Sequence, residues 1–363
     1  MKLRNSHLAY CQNVHKSASL DDVLNNIRNY TVPIRQQINS SDAFGLGLWF
    51  PHSCIDELKN SADALTELCA KENMYLFTIN GFPYGPFHEL SVKEKVYTPD
   101  WGDDARLDYT KSLMDILVQC LPDGIEGSIS TVPVTYQKRQ PENAIANLLS
   151  VARYAAELEA QFGKTIKIAL EPEPDCFLEN TEESIAFFKK LKRVDSQLTK
   201  YLGICYDTCH LSLQNENLAD AYEKLKDAGI DVPKIQISAA IDLNNTGTEA
   251  KHFLTAYDEP VYLHQTRIYV GDICIANYPD LGPALEANLN GRWLVHFHVP
   301  LPFEGNDEMR STSHYITDKF LDLIFEHSPN IEIETYTFDV LPDPKPELID
   351  SICSEYKWVM ERL

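Results

Sequence analysis

Short apolar runs alternate with longer amphipathic stretches along the whole chain. HLAYCQ is followed by SLDDVLNNIRNYTVPIRQQI, and GLGLWF by SCIDELKNSADALTELCAKE. MYLFTIN leads into a Gly- and Pro-rich loop, NGFPYGPFHELSVKEKVYTPDW, and then a helix rich in Leu and Met. GSISTVPV precedes ENAIANLLSVARYAAELEAQF, TIKIAL precedes SIAFFKKLKRV, and YLGICYD precedes LADAYEKLKDAG. KIQIS, WLVHFHV and IEIETYTF complete the series. Apolar runs of strand length joined by helical stretches of about ten to twenty residues read as βαβ units around a parallel sheet. Seven or eight such units in succession predict an α/β fold of the (β/α)8 TIM barrel type rather than an open sheet. A Rossmann fold is disfavoured because no glycine-rich dinucleotide fingerprint follows the first strand.

The pattern offers nine strand candidates, one more than a barrel holds, and the surplus lies between Lys234 and Val299. KIQIS is assigned as strand seven and IEIETYTF as strand eight. WLVHFHV then belongs to a long insertion between them. Residues 239–292 exceed a plain loop and fall short of an independent core, so residues 1–363 are expected to form one domain with this segment as a lid. The loop over residues 80–101 is expected to build a second wall at the same mouth.

Acidic residues and histidines finish several of these strands, and barrel enzymes keep their chemistry at that end. TIKIAL runs into Glu171-Pro172-Glu173-Pro174. Proline cannot donate to a strand ladder, so Glu171 is expected to face the barrel and Glu173 to sit at its rim. The competing reading is two solvated glutamates in a βα loop. YLGIC ends in Asp207-Thr208-Cys209-His210, whose spacing can turn Asp207 and His210 toward one point. Asp207 is equally suited to cap the next helix. Glu332 and Glu334 share one face of the last strand, while Ile331 and Ile333 face the helices. A carboxylate inside a barrel must be paired or metal-bound. His296 and His298 alternate onto one face of VHFHV, and Gln236 in KIQIS offers a neutral amide oxygen. Carboxylates with imidazoles suit a divalent metal, manganese first, with zinc, magnesium or cobalt as alternatives.

Composition limits the partners. The chain has 363 residues, a formal net charge of −22 and a pI near 4.8, a surface that repels nucleic-acid backbones. His88 with Lys93 or Lys95, in the strand-three loop, nevertheless provides a candidate site for a polar or phosphorylated substrate end. These loop residues otherwise read as a solvated lid. Nine scattered cysteines, an odd number, and no recognisable secretory leader lead to the expectation of a cytoplasmic protein. The longest apolar runs fall well short of the ~18 residues of a membrane span.

Glu171 after strand five, Asp207-x-x-His210 after strand six and Glu334 after strand eight resemble the xylose isomerase-like TIM barrels. That superfamily includes sugar isomerases, ketose epimerases, inosose dehydratases and type IV apurinic endonucleases. FTINGFPYGPFH, VKEKVYTPDW, GSISTVP, ALEPEP and ETYTFDVLP resemble the signatures of the metabolite traffic protein EboE group, over nearly the whole chain. The resemblance implies metal ligands at Glu171, Asp207 and Glu334 and a substrate contact at His210. The superfamily's strand-seven histidine is Gln236 here, and His298 stands as its replacement from the insertion. It further implies an isomerase or epimerase acting on a small polar metabolite (a sugar, polyol or cyclitol), with Glu171 and Glu334 exchanging a proton on opposite faces. His296, Glu173, His88 and Lys93 complete the expected substrate contacts. A non-catalytic metabolite-binding or traffic barrel is the alternative function, and an endonuclease IV-like phosphodiesterase a more remote one.

Overall fold

A computed structural model of the chain describes residues 1–38, 42–88, 91–244, 248–287, 289–306, 308–328 and 330–363. Positions 89–90 of the strand-three loop and positions 245–247 and 288 of the insertion lie outside them. Eight strands form the barrel: β1 Ser6–Tyr10, β2 Phe44–Trp49, β3 Met74–Asn80, β4 Gly127–Thr131, β5 Ile166–Leu170, β6 Leu202–Asp207, β7 Asp231–Ile237 and β8 Asn330–Ile333. Strands β2 to β7 pair in parallel with their chain neighbours, and β8 lies between β7 and β1. The ring is nearly closed by a parallel bridge between Cys11 and Gly47. These are the eight apolar runs assigned from the pattern. Their residues are buried almost throughout, which is why they read as continuous apolar runs rather than alternating ones.

The helices bury one stripe each. Asp104–Cys120 and Ala144–Phe162 lay Leu113, Met114, Leu117, Leu148, Ala152 and Ala155 on the barrel side. The second of these stops at Gly163, whose φ of 67° is left-handed and whose amide returns to the Glu159 carbonyl.

The surplus run belongs to the long connection between β7 and β8, as its position predicts. Arg292–Val295 is the central strand of a five-stranded antiparallel sheet, in the order Ile273–Tyr278, Thr266–Val270, Arg292–Val295, Ile241–Leu243, Met309–Ser311. The insertion therefore runs past residue 292, because Ile241–Leu243 pairs with Arg292–Val295 on one edge and Met309–Ser311 on the other.

Asn330, Glu332 and Glu334 climb one side of β8 and its exit. Glu332 meets Lys234 of β7 at 2.5 Å with both side chains fully buried, so the barrel carries an ion pair one layer below its mouth. Gly47 makes room for it: a Cβ there would stand 1.7 Å from Glu332 Oε1. Among the described residues no helix is long and apolar enough to cross a membrane.

Candidate metal centre

Glu171 leaves β5, Asp207 ends β6 and Glu334 follows β8, and one oxygen of each lies within 4.8 Å of the others. All three side chains are buried. Asp207 caps a helix with one oxygen and turns the other toward the trio. Its Oδ1 caps the helix Thr208–Leu213, accepting the His210 amide at 2.9 Å and the Ser238 hydroxyl at 2.8 Å. Its Oδ2 is buried without a partner, as is Glu171 Oε2. Glu334 Oε1 accepts amide hydrogens from Asn13 at 2.7 Å and Asn80 at 3.1 Å. Burial, then the mutual charge of the acids, pushes the Glu171 and Glu334 carboxyls well above the usual range. Orphaned carboxylate oxygens at so small a separation fit a divalent cation, which would supply the missing charge.

The insertion adds imidazoles. Residues after Arg292–Val295 carry His296 and His298 into the barrel mouth beside His210. His210 Nε2 and His296 Nε2 are 3.1 Å apart, and so are His296 Nε2 and His298 Nε2. Each Nδ1 is engaged elsewhere: His210 by the Pro172 carbonyl at 3.0 Å, His298 by the Glu334 carbonyl at 3.1 Å, His296 by Gln265 Oε1 at 2.5 Å. Those partners accept, so each ring proton belongs on Nδ1 and each Nε2 presents a lone pair inward. Burial lowers the pKa of all three, to about 3 for His210 and about 4 for His298, so the rings are neutral. Inward lone pairs of this kind suit a cation, and Asp207 with His210 and His298 makes a candidate donor group that adjoins the carboxylates. Cys209 lies within reach of His296 and His298, but burial drives its thiol pKa up and keeps it protonated.

Glu173 is on the cavity wall rather than in the carboxylate trio. It accepts the Tyr97 hydroxyl at 2.6 Å, and burial raises its pKa to about 8. Gln236 uses its amide oxygen to accept the Cys205 thiol at 2.9 Å, and its amide nitrogen is buried without a partner. His88 has both ring nitrogens engaged, by the Tyr262 hydroxyl at 2.6 Å and the Asn13 carbonyl at 2.5 Å. Lys93 reaches the cavity but is ion-paired with Asp280. Lys95 lines a separate hollow at the surface of the same loop.

The cavity above these groups encloses about 490 Å³, counting the space open to its mouth. Several contributors escaped the sequence reading. Asn13 and Asn80 lie just past β1 and at the end of β3, so the strand-end rule that found Glu171 could have found them. Gln265, Tyr97 and Tyr336 carried no comparable signal. Gln265 joins three segments, donating to Tyr97 and the Pro174 carbonyl while its oxygen holds His296.

A family model described as xylose isomerase-like TIM barrel matches residues 41–255. Among curated proteins none matches the chain in sequence. Solved structures share the fold at low identity. A xylose isomerase domain protein from Planctomyces limnophilus is 12% identical, with 91% of this chain and 90% of that one covered and a TM-score of 0.53. A xylose isomerase-like TIM barrel protein from Mycobacterium smegmatis, in complex with magnesium, is 11% identical over 100% and 98%, with a TM-score of 0.53. The IOLI protein with a bound zinc atom is 14% identical over 98% of both chains, with a TM-score of 0.51.

Proposed function

The chain belongs to the xylose isomerase-like TIM barrel family, and from that premise we propose that it is a metal-dependent isomerase or epimerase. Its substrate is a small hydroxylated metabolite of the sugar, polyol or cyclitol type, in which a proton moves beside a carbonyl. The observation that carries the reading is the buried trio Glu171, Asp207 and Glu334 with its orphaned oxygens. The relatives whose structures hold magnesium or zinc are consistent with it.

Glu171, Asp207 and Glu334 would hold a divalent ion, which would supply positive charge beside the substrate oxygen that becomes negative as the proton leaves. Manganese suits the carboxylate trio, and zinc or cobalt the imidazoles of His298, His296 and His210. Asn13 and Asn80 fix one oxygen of Glu334 and so aim the other. Glu334 and Glu171 exchange the proton from either side of the reacting carbon, a positioned transfer worth roughly 10²–10⁴ in rate. His210 orients a hydroxyl. Glu173 with its raised pKa holds a proton at neutral pH and donates a hydrogen bond to the substrate. The insertion, through Tyr262 and Leu263, acts as a lid over the mouth. Resemblance to the metabolite traffic protein EboE group supports a role in handling a secondary metabolite, and the nine scattered cysteines support a cytoplasmic setting.

One observation favours a second reading, a metabolite-binding barrel without turnover: Gln236 spends its oxygen on Cys205. The nuclease reading has no support in the cavity. Lys93 is the cationic side chain among its described lining residues, and it is paired.

The test is proton exchange in D2O. Manganese-loaded protein is incubated with a panel of ketoses and keto-cyclitols and followed by NMR. Deuterium should enter beside the carbonyl of at least one compound, and Glu334→Gln and Glu171→Gln should abolish it. Full metal loading with no exchange across the panel would transfer the assignment to the binding reading.

A further inference from the structure

Above its polar floor the cavity changes character. Phe87, Tyr262 and Tyr336 form a triangle of rings with centroids 5.3, 5.2 and 5.1 Å apart. They come from three separate segments: the loop after β3, the insertion, and the exit of β8. Phe82 and Tyr97 add a second aromatic pair at 5.7 Å. Val92, Val96 and Leu263 fill the remaining wall.

The polar groups on that wall are already engaged, the Tyr336 hydroxyl only by a long 3.4 Å contact with His296 Nε2. The Tyr97 hydroxyl donates to Glu173 and accepts from Gln265. The Tyr262 hydroxyl is bonded to His88. Asn80 donates to Glu334 and accepts the Phe82 amide at 3.0 Å. Lys93 is held by Asp280. The unpartnered buried atoms among the lining residues, Asn13 Oδ1 and Glu171 Oε2, both belong to the floor. A hydroxyl placed at the floor therefore finds acceptors, whereas one placed against the rings, away from Glu173, loses water without replacement. A phosphate placed against the wall meets Glu173 and, among the described lining residues, no cationic side chain except Lys93, which Asp280 already holds.

We infer that the substrate is amphiphilic and carries no phosphate: a compact head of two or three oxygens for the floor, joined to a flat apolar or aromatic part for the ring-lined wall. This deepens the function proposed above and rests on its placement of the head group.

Three hydroxyketones with one shared head test it: 2-hydroxyacetophenone, dihydroxyacetone and dihydroxyacetone phosphate. Their binding to manganese-loaded protein is measured by calorimetry after a manganese titration. The phenyl ketone should bind about tenfold tighter than dihydroxyacetone, the scale of burying a ring. The phosphate ester should bind no tighter than dihydroxyacetone. Phe87→Leu should shrink the phenyl preference. Manganese binding with no phenyl preference, with no probe bound, or with the phosphate ester tightest overturns the inference and leaves the metal site standing. Phenyl preference without manganese binding supports the apolar wall and overturns the metal-dependent function alone.

Discussion

His210 and His296 face each other through their Nε2 atoms at 3.1 Å, with each ring proton directed to the opposite nitrogen. Two neutral imidazoles so arranged repel unless a cation lies between them, so the contact itself argues for metal binding. Gln265 sets the His296 tautomer through Nδ1. Gln265→Leu should weaken binding of cobalt(II), read by its visible absorption, roughly 10–100-fold. Unchanged cobalt affinity would show that this second layer does not act on the site.

Lys234 and Glu332 are a fully buried pair whose charges cancel below the carboxylate floor of the cavity. Lys234→Met strands a buried carboxylate and should cost about 3–5 kcal/mol in urea unfolding. The double variant Lys234→Met with Glu332→Met should recover most of that loss. A single variant as stable as the parent would contradict the buried pairing.

Arg106 secures the loop after β3 from inside. Its guanidinium donates to the carbonyls of Pro99 at 2.8 Å, Gly81 at 2.7 Å and Phe82 at 3.1 Å, and burial lowers its pKa to about 10. Arg106→Met leaves those acceptors unmet and should destabilise by about 2–4 kcal/mol. Limited proteolysis should then cut within residues 80–101 before the rest of the chain. Parental resistance in that segment would refute the role.

Glu355 gives a pH signature away from the candidate metal centre. Its Oε1 accepts the Leu301 amide at 3.1 Å and the Thr335 hydroxyl at 2.7 Å, and burial raises its pKa from 4.5 to about 7. The fold thus favours the protonated form. That stability is fully present below about pH 4.5 and is lost as pH rises through about 7. Glu355→Gln keeps the accepting oxygen and stays neutral. It should match the parent near pH 4.5 and exceed it by roughly 1–3 kcal/mol above pH 8. Parallel pH profiles for the two proteins would count against this account.

The eight barrel strands were legible because a parallel strand covered on both faces must be apolar over its whole length, and such runs stand out from amphipathic helices. Glu171, Asp207 and Glu334 were legible for the complementary reason. A charge at the end of an apolar run is conspicuous, and the barrel brings strand ends together. The same reasoning gave Glu332 two outcomes, metal or partner, and could not choose, because Lys234 appears in the chain as an ordinary lysine. Parallel pairing of β7 with β8 sets Lys234 beside Asn330 and Gln236 beside Glu332, and only the lysine's long side chain, reaching up diagonally, meets Glu332.

The sequence by itself determined the barrel, the place of the insertion and the acidic strand ends, since each follows from local periodicity and a chain-order rule. The tertiary structure decided the rest. It delivered His296 and His298 from the insertion to His210, engaged both nitrogens of His88, paired Lys93 with Asp280 and assembled the aromatic wall from three distant segments. Those outcomes depend on where a long connection folds back and on which side chain reaches a partner first. Neither is encoded within a window of neighbouring residues, because the energies that settle them come from contacts between segments far apart in the chain.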